Sequence, residues 1–382
     1  MAVLVGRISD DSMIAGSSSG GLTSYVLGEL LDRGLVDAVL HVGRSDTELF
    51  EYKVTRSRSD LNSQRKSEYF STTMAGAFEG LGPTERIAVV GVPCFIKAVR
   101  LLAAQDEEIE QHVAFYVGLV CGHLKSQFFA ESLGWQAGVD PTNLTAVDFR
   151  VKNPNKPSNA YDYSATGTDQ AEETRPMSTT IDGNWGYGAF QPEACNFCDD
   201  IFAETADVAF GDAWLPEYKA DWRGTNVVVV RNDTILEILR QGEEVGHLVL
   251  EDRSPDDAAA SQAGNFRHRR DGLQVRLRDD IEAGLSVPRK RVSPRYDHVS
   301  KHRRSLIRQR RKMSRLTLVN FAAARAARDF EIYARPLRAE IARYNWISAR
   351  EKGLRQTFRH IAARATGIRV RTRLKAIRAR MP

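Results

Sequence analysis

The sequence predicts an α/β protein, a mixed-sheet domain followed by a basic helical C-terminal extension. Three observations predict it. Short apolar runs alternate with amphipathic segments along the body, the strand and helix alternation of an α/β layer. Two cysteines follow such runs, and a C-x-x-C pair follows a long polar excursion. Charge is split, since from Arg289 onward 28 Lys and Arg face 5 Asp and Glu, a net +23, whereas the preceding residues sum to −18. With 382 residues, 42% of them hydrophobic, the chain can bury one large or two ordinary cores.

The elements follow in order. "MAVLVGRI" and "VDAVLHVG" read as strands. Between them "SGGLTSYVLGELLDRG" places Leu22, Val26 and Leu30 on one helix face, with Gly34 as the stop. A second round runs from the buried strand "RIAVVGVPC" through the helix "FIKAVRLLAAQ" to the strand "HVAFYVGLVCG", which puts Cys94 and Cys121 at strand ends. Ligands of open α/β sheets bind at such ends. Residues 151–191, rich in Gly, Pro, Ser, Thr and Asn, read as an excursion or small β-hairpin. Beyond the C-x-x-C, "ADVAFGDAW" and "GTNVVVVRN" are strand-like, "TILEILRQGEE" is helical, and "HLVLEDRS" closes the body. The expected units are therefore 1–84, 85–254, a linker 255–288 entering helix, and a basic helical tail 289–382. No run of 18 apolar residues occurs, and "MAVLVGRISDD" lacks a signal-peptide pattern, so the cytoplasm is the expected location.

Four cysteines are too few and too scattered for a disulfide framework. A C-x-x-C pair has three readings: half a zinc site, a thioredoxin-like redox pair, or two ligands of an iron–sulfur cluster. Cys94 and Cys121 are not a second close pair, and Cys195 does not open a helix soon after a strand. Four thiols drawn from distant segments match the ligand count of one [4Fe–4S] cluster, with zinc and incidental buried cysteines as the standing alternatives.

The motifs "GSSSGGLTSYVLGELLDRGLVDAVL", "GVPCFIKAVRLL", "GLVCG" and "CNFCDDIFAETADVAFGDAW", in that order, resemble those of the family of coenzyme F420 hydrogenase/dehydrogenase beta subunits, which is related to 7-hydroxymethyl chlorophyll a reductase. The resemblance covers residues 5–250. It implies a flavin/iron–sulfur domain, with FAD and one [4Fe–4S] cluster held by Cys94, Cys121, Cys195 and Cys198. It also implies electron transfer between a two-electron carrier, such as the deazaflavin coenzyme F420 as substrate, and one-electron carriers such as ferredoxin or a dehydrogenase subunit.

Three departures stand out. The family's N-terminal ferredoxin-like module is missing from the sequence, the common Ser-Lys-Tyr step reads Ser67, Glu68 and Tyr69, and the basic tail has no counterpart in the motif set.

"GSSSGG" between strand and helix suits a phosphate at a helix N-terminus, and its structural alternative is an ordinary serine-rich cap. The resemblance assigns FAD contact to Ser18, Ser19, Gly20, Gly21 and Thr23. It adds Asp212 of "GDAW" and Asn226 of "GTN" on a closing wall with Trp214 and Thr225, where turn and core packing are the alternatives. His123 and Lys125, just beyond Cys121, are expected at the surface, with proton or anion contacts near the cluster as the alternative. No catalytic acid or base is singled out, since hydride transfer requires none.

In the tail, "KHRRSLIRQRRKMSRLTLVNF" offers Leu306, Ile307, Leu316, Leu318, Val319 and Phe321 beside its cations. Two readings stand level: a helix lying on an anionic membrane at its inner face, and an extension packed on the acidic body. Nucleic acid ranks behind both, as no recognised module accompanies the charge. A reading of another class is a zinc-stabilised, non-enzymatic binding protein that uses its tail on a membrane or polyanion, as in cell-surface polysaccharide synthesis.

Overall fold

The computed structural model describes residues 1–168 and 172–352. Its body is an eight-stranded mixed sheet of β1 (Ala2–Ile8), β2 (Ala38–Arg44), β3 (Phe50–Thr55), β4 (Ile87–Gly91), β5 (Val113–Leu119), β9 (Val208–Asp212), β10 (Asn226–Val230) and β11 (Leu248–Asp252). The order is β11-β1-β10-β9-β5-β4-β2-β3, with β2, β4, β5 and β9 parallel and the remaining pairs antiparallel. The central runs "IAVVG" and "NVVVV" are buried at every residue, as strands covered on both faces must be. Strands from 1–84 and 85–254 share this sheet, with β1 between β10 and β11.

One face carries the helices Leu22–Asp32 and Asp233–Glu244, and Leu22, Val26 and Leu30 meet Ile235, Ile238 and Leu239 there. Asn232 starts the second of these by accepting the Ile235 amide at 3.2 Å. On the opposite face lie the helix Pro93–Ala103 and Ala258 of the helix Pro255–Ser261. Both faces of the sheet are thereby dry.

The polar excursion forms a second, antiparallel sheet of β6 (Leu144–Val151), β7 (Asp162–Gly167) and β8 (Glu173–Pro176). Its core includes Phe129 and Phe149, and it is completed by the basic extension. That extension is a helical hairpin, Lys301–Ala327 and Glu331–Lys352, turned at Arg328 in the left-handed region (φ 52°). Met313, Phe321, Tyr333 and Leu337 are buried against Phe129 and Phe190. Of the apolar residues offered to a membrane, Leu306, Ile307 and Phe321 are thus buried within the protein, and Val319 is exposed. Carboxylates meet many of the cations: Arg311 contacts Glu193 and Asp280, Arg308 contacts Asp279, and Arg325 contacts Glu131. These contacts are those of an extension packed on the body. Residues 353–382, the rest of the tail, lie outside the described residues.

Where the sequence suggested a linker, residues 255–288 hold three helices, Pro255–Ser261, Ala263–Arg269 and Asp271–Glu282. A capping box between Ser254 and Asp257 opens the first, and Leu273, Val275 and Leu277 are buried in the third. Among the described residues no helix is long and apolar enough to cross a membrane.

Candidate functional site

Since β1 and β9 are both antiparallel to β10, β1 runs in the same direction as the parallel strands. The loops leaving β1, β4, β5 and β9 therefore gather at one end of the sheet, where open sheets hold their ligands. They line a cavity of about 830 Å³ with Ser18, Ser19, Gly91, Cys121, His123, Asp212 and Trp214.

Ser18, Ser19, Gly21, Thr23, Asp212 and Asn226 all line this cavity. Gly20 instead serves as packing: a Cβ there would lie 2.6 Å from the Gly6 carbonyl and 2.9 Å from Asn226 Oδ1. Gly21, at φ 81°, sets the entry to the helix Leu22–Asp32. The Leu22 amide donates to Asn226 Oδ1 at 3.1 Å, so Asn226 holds the loop to β10. Ser19 Oγ donates to the Thr225 carbonyl at 3.2 Å, and Ser18 Oγ accepts the Ser67 amide at 2.8 Å.

Asp212 faces a buried arginine that the sequence did not single out. Arg150 Nη1 and Nη2 donate to its two carboxylate oxygens at 2.8 and 3.1 Å, and the guanidinium lies near the Tyr161 and Trp214 rings. Burial alone would discourage the charge on Arg150, but Asp212 secures it. Glu68, in the departing Ser-Lys-Tyr position, also lines the cavity. Burial and then the nearby Asp148 charge push its carboxyl up to about 8, against the pull of Arg44 and Lys66.

Of the four cysteines, Cys121 lines this cavity, and the other three lie near enough for their charges to act on its thiol. Cys94 lies in the first turn of the helix Pro93–Ala103, just past the strand end where it was expected. Cys121 follows β5 and donates its amide to the Ile201 carbonyl at 3.1 Å. Cys195 and Cys198 lie in and just after the short turn Glu193–Phe197, and Cys195 Sγ accepts the Leu124 amide at 3.4 Å. Burial pushes Cys94 up to about 11, and the charges of Cys198 and Cys195 push the same way. Cys121 is pushed up to about 12 by burial, with Arg269 pulling down and the other three thiols pushing up. The sequence-distant thiols thus feel one another. Among the described residues, however, no group of three or more His, Cys, Asp or Glu is spaced to hold a metal ion.

Residues from the second and third helices of 255–288, Ala263–Arg269 and Asp271–Glu282, clasp the cysteine loops. Arg269 Nη2 donates to the carbonyls of Cys121 and Gly122 at 3.1 and 2.7 Å, while Nε and Nη1 are buried without partners. Once ionised, the four cysteine sulfurs would favour the charged guanidinium against the cost of its burial. Arg276 Nε donates to the Asn196 carbonyl at 2.8 Å, inside the C-x-x-C. A convergent thiol set beside a buried, partly unpartnered cation suits a metal–thiolate group of negative charge.

His123 and Lys125, expected at the surface, are 4% and 1% exposed. Their strand end is covered by Trp185 and by the C-terminal hairpin, which is where sequence distance misled. Lys125 Nζ donates to the Ala189 carbonyl at 2.6 Å over the Phe129 and Trp185 rings, and burial pushes it down to about 7. The arginines 150, 269, 276 and 310 escaped the sequence reading too. The cluster "FRHRRDG" was the signal for Arg269, and it looks the same on an exposed helix.

Comparisons with known proteins agree with this architecture. Residues 3–79 match the family model for the coenzyme F420 hydrogenase/dehydrogenase beta subunit N-terminus, and residues 84–256 match that for its C terminus. One subunit of the F(420)H(2) dehydrogenase of Methanosarcina mazei is 33% identical over 108 residues, 28% of this chain and 30% of that relative. The matched part thus spans under a third of the relative's length. An uncharacterized protein of Methanocaldococcus jannaschii is 24% identical over 240 residues, 60% of this chain and 80% of that protein. Among solved structures, a chain of the F420-reducing [NiFe] hydrogenase complex from Methanosarcina barkeri, studied as a xenon derivative, superposes with a TM-score of 0.55. At 17% identity, over 75% of this chain and 95% of that one, it shows a shared fold. With both family models matched in order along one sheet, the chain belongs to the family of coenzyme F420 hydrogenase/dehydrogenase beta subunits.

Proposed function

We propose that the protein is an FAD- and [4Fe–4S]-dependent oxidoreductase subunit that moves electrons between a two-electron carrier, a deazaflavin of the coenzyme F420 type, and one-electron carriers such as ferredoxin. The observation that supports this is that Cys121, on whose thiol the other three cysteines act, lines the same cavity as the serine-rich turn. A flavin accepts two electrons together and a [4Fe–4S] cluster passes them singly, so adjacent sites convert one into the other.

Cys94, Cys121, Cys195 and Cys198 are the proposed cluster ligands, with Arg269 as their counter-charge. Ser18, Ser19, Gly21 and Thr23 are the proposed flavin contacts, and Gly20, Asn226 and the Arg150–Asp212 pair shape and hold that wall. Tyr69, Trp185 and Trp214 keep the interior apolar beside these groups. Relatives named as parts of a dehydrogenase and of a hydrogenase complex support a partner protein for this chain as well.

Anaerobic purification and a visible spectrum test the reading. Flavin bands with a broad shoulder that bleaches on reduction are expected, and a colourless protein with one bound zinc would sink it. Cys198→Ala is expected to lose iron and keep flavin, and unchanged iron in that variant overturns the ligand assignment.

A further inference from the structure

The C-terminal hairpin contributes Arg303, Arg310 and Tyr344 to the wall of the large cavity, although the family match ends at residue 256. Arg310 lies part-buried between hairpin and body. Its Nη2 lies 3.2 Å from His123 Nδ1, and its Nε is buried with no partner among the described residues. The charges that act on it are positive, from Arg269 and Arg303, with the Tyr344 phenol beside them. Among the described residues no carboxylate forms an ion pair with it, and residues 353–382 contain no Asp or Glu. Arg303 meets Glu351 at 3.6 Å and likewise keeps a buried Nε without a partner.

His123 adds a donor. With Nδ1 accepting from Arg310, the ring proton sits on Nε2, which is buried and unpartnered in a residue 4% exposed. A part-buried guanidinium with no counter-ion is costly, and its planar fork matches a carboxylate or phosphate. Arg269 differs, because the four thiols surround it. Among the described residues Arg310 has no such neighbour, and the cavity it lines is the space open to a partner.

We propose that the hairpin completes the cavity with an oxyanion subsite, in which Arg310, with Arg303, Tyr344 and His123, receives a phosphate or carboxylate group of the small molecule bound there. The assignment rests on the redox reading only in treating that molecule as substrate. The subsite itself stands on the arginines.

Thermal melting of the full chain at constant ionic strength tests it, in chloride, inorganic phosphate or malonate. The wild type is expected to melt higher in one of the two oxyanions, saturably, as for any ligand of the folded state. Phosphate preference marks a phosphate-bearing substrate and malonate preference a carboxylate-bearing one. Arg310→Met is expected to abolish the shift while melting in chloride no lower than wild type, because an unpaired, part-buried charge is gone. Arg310→Lys should raise the half-saturating concentration about tenfold, through loss of the two-pronged contact. Arg315→Gln, on the same helix but exposed and paired with Glu193, should keep the full shift. No shift in wild type with either oxyanion, or an equal shift in Arg310→Met, overturns the subsite. Flavin absorbance of the same samples separates the two readings, since its absence counts against the redox function and leaves the melting comparison readable.

Discussion

Two side chains show how buried polar groups tie this site to stability. Arg150 is 4% exposed and its charge is balanced by Asp212, so Asp212→Ala strands a cation indoors. The expected cost is about 3 kcal/mol, read from the urea midpoint, because breaking a buried pair from one side leaves an uncompensated charge. His41 is held neutral by burial, which pushes its ring down to about 4, while Nε2 meets Thr55 Oγ1 at 2.9 Å. In that window the unfolded chain binds the extra proton, so stability present above about 6.5 falls as the pH drops toward 4. His41→Gln should narrow the difference between urea midpoints at pH 7 and pH 4.5, and an unchanged difference would show that His41 contributes no such linkage.

Among the elements, the hairpin Lys301–Ala327 and Glu331–Lys352 has the most to say about the molecule's design. Phe321 packs against Phe190 and Tyr333 at ring distances of 5.4 and 5.2 Å and is fully buried. Phe321→Ala should therefore cost about 3–5 kcal/mol, whereas Val319→Ala, at a residue 68% exposed, should shift the melting point little. Strands such as "IAVVG" and "NVVVV" were legible as residues because a continuous apolar run states its own burial. The placement of Cys94 and Cys121 just past β4 and β5 was legible from the apolar runs before them. The hairpin's docking was not, because basic residues between apolar ones look alike whether the partner is lipid or protein. The helices of 255–288 were hidden for a related reason: Arg269 earns its burial through carbonyls of Cys121 and Gly122, contacts that no local pattern encodes.

At the scale of the whole molecule, body and extension share one core, as Met313, Phe321 and Leu337 lie with Phe129 and Phe149. A chain ending at residue 288 is thus expected to lose cooperative melting and aggregate rather than behave as a trimmed body, since it exposes that apolar surface. Soluble, cooperative melting of that shortened form would show the two to be separable. A different consequence follows from the placement of β1, whose partners are Val230 opposite Ala2 and Asp252 opposite Leu4. During synthesis the first strand leaves the ribosome long before either neighbour exists. One of its edges stays open until β10 emerges and the other until β11 does, and such edges are templates for pairing with another chain. Nascent chains stalled short of Asp252 would then be the molecule's most aggregation-prone form, and the natural clients of a chaperone at the tunnel exit.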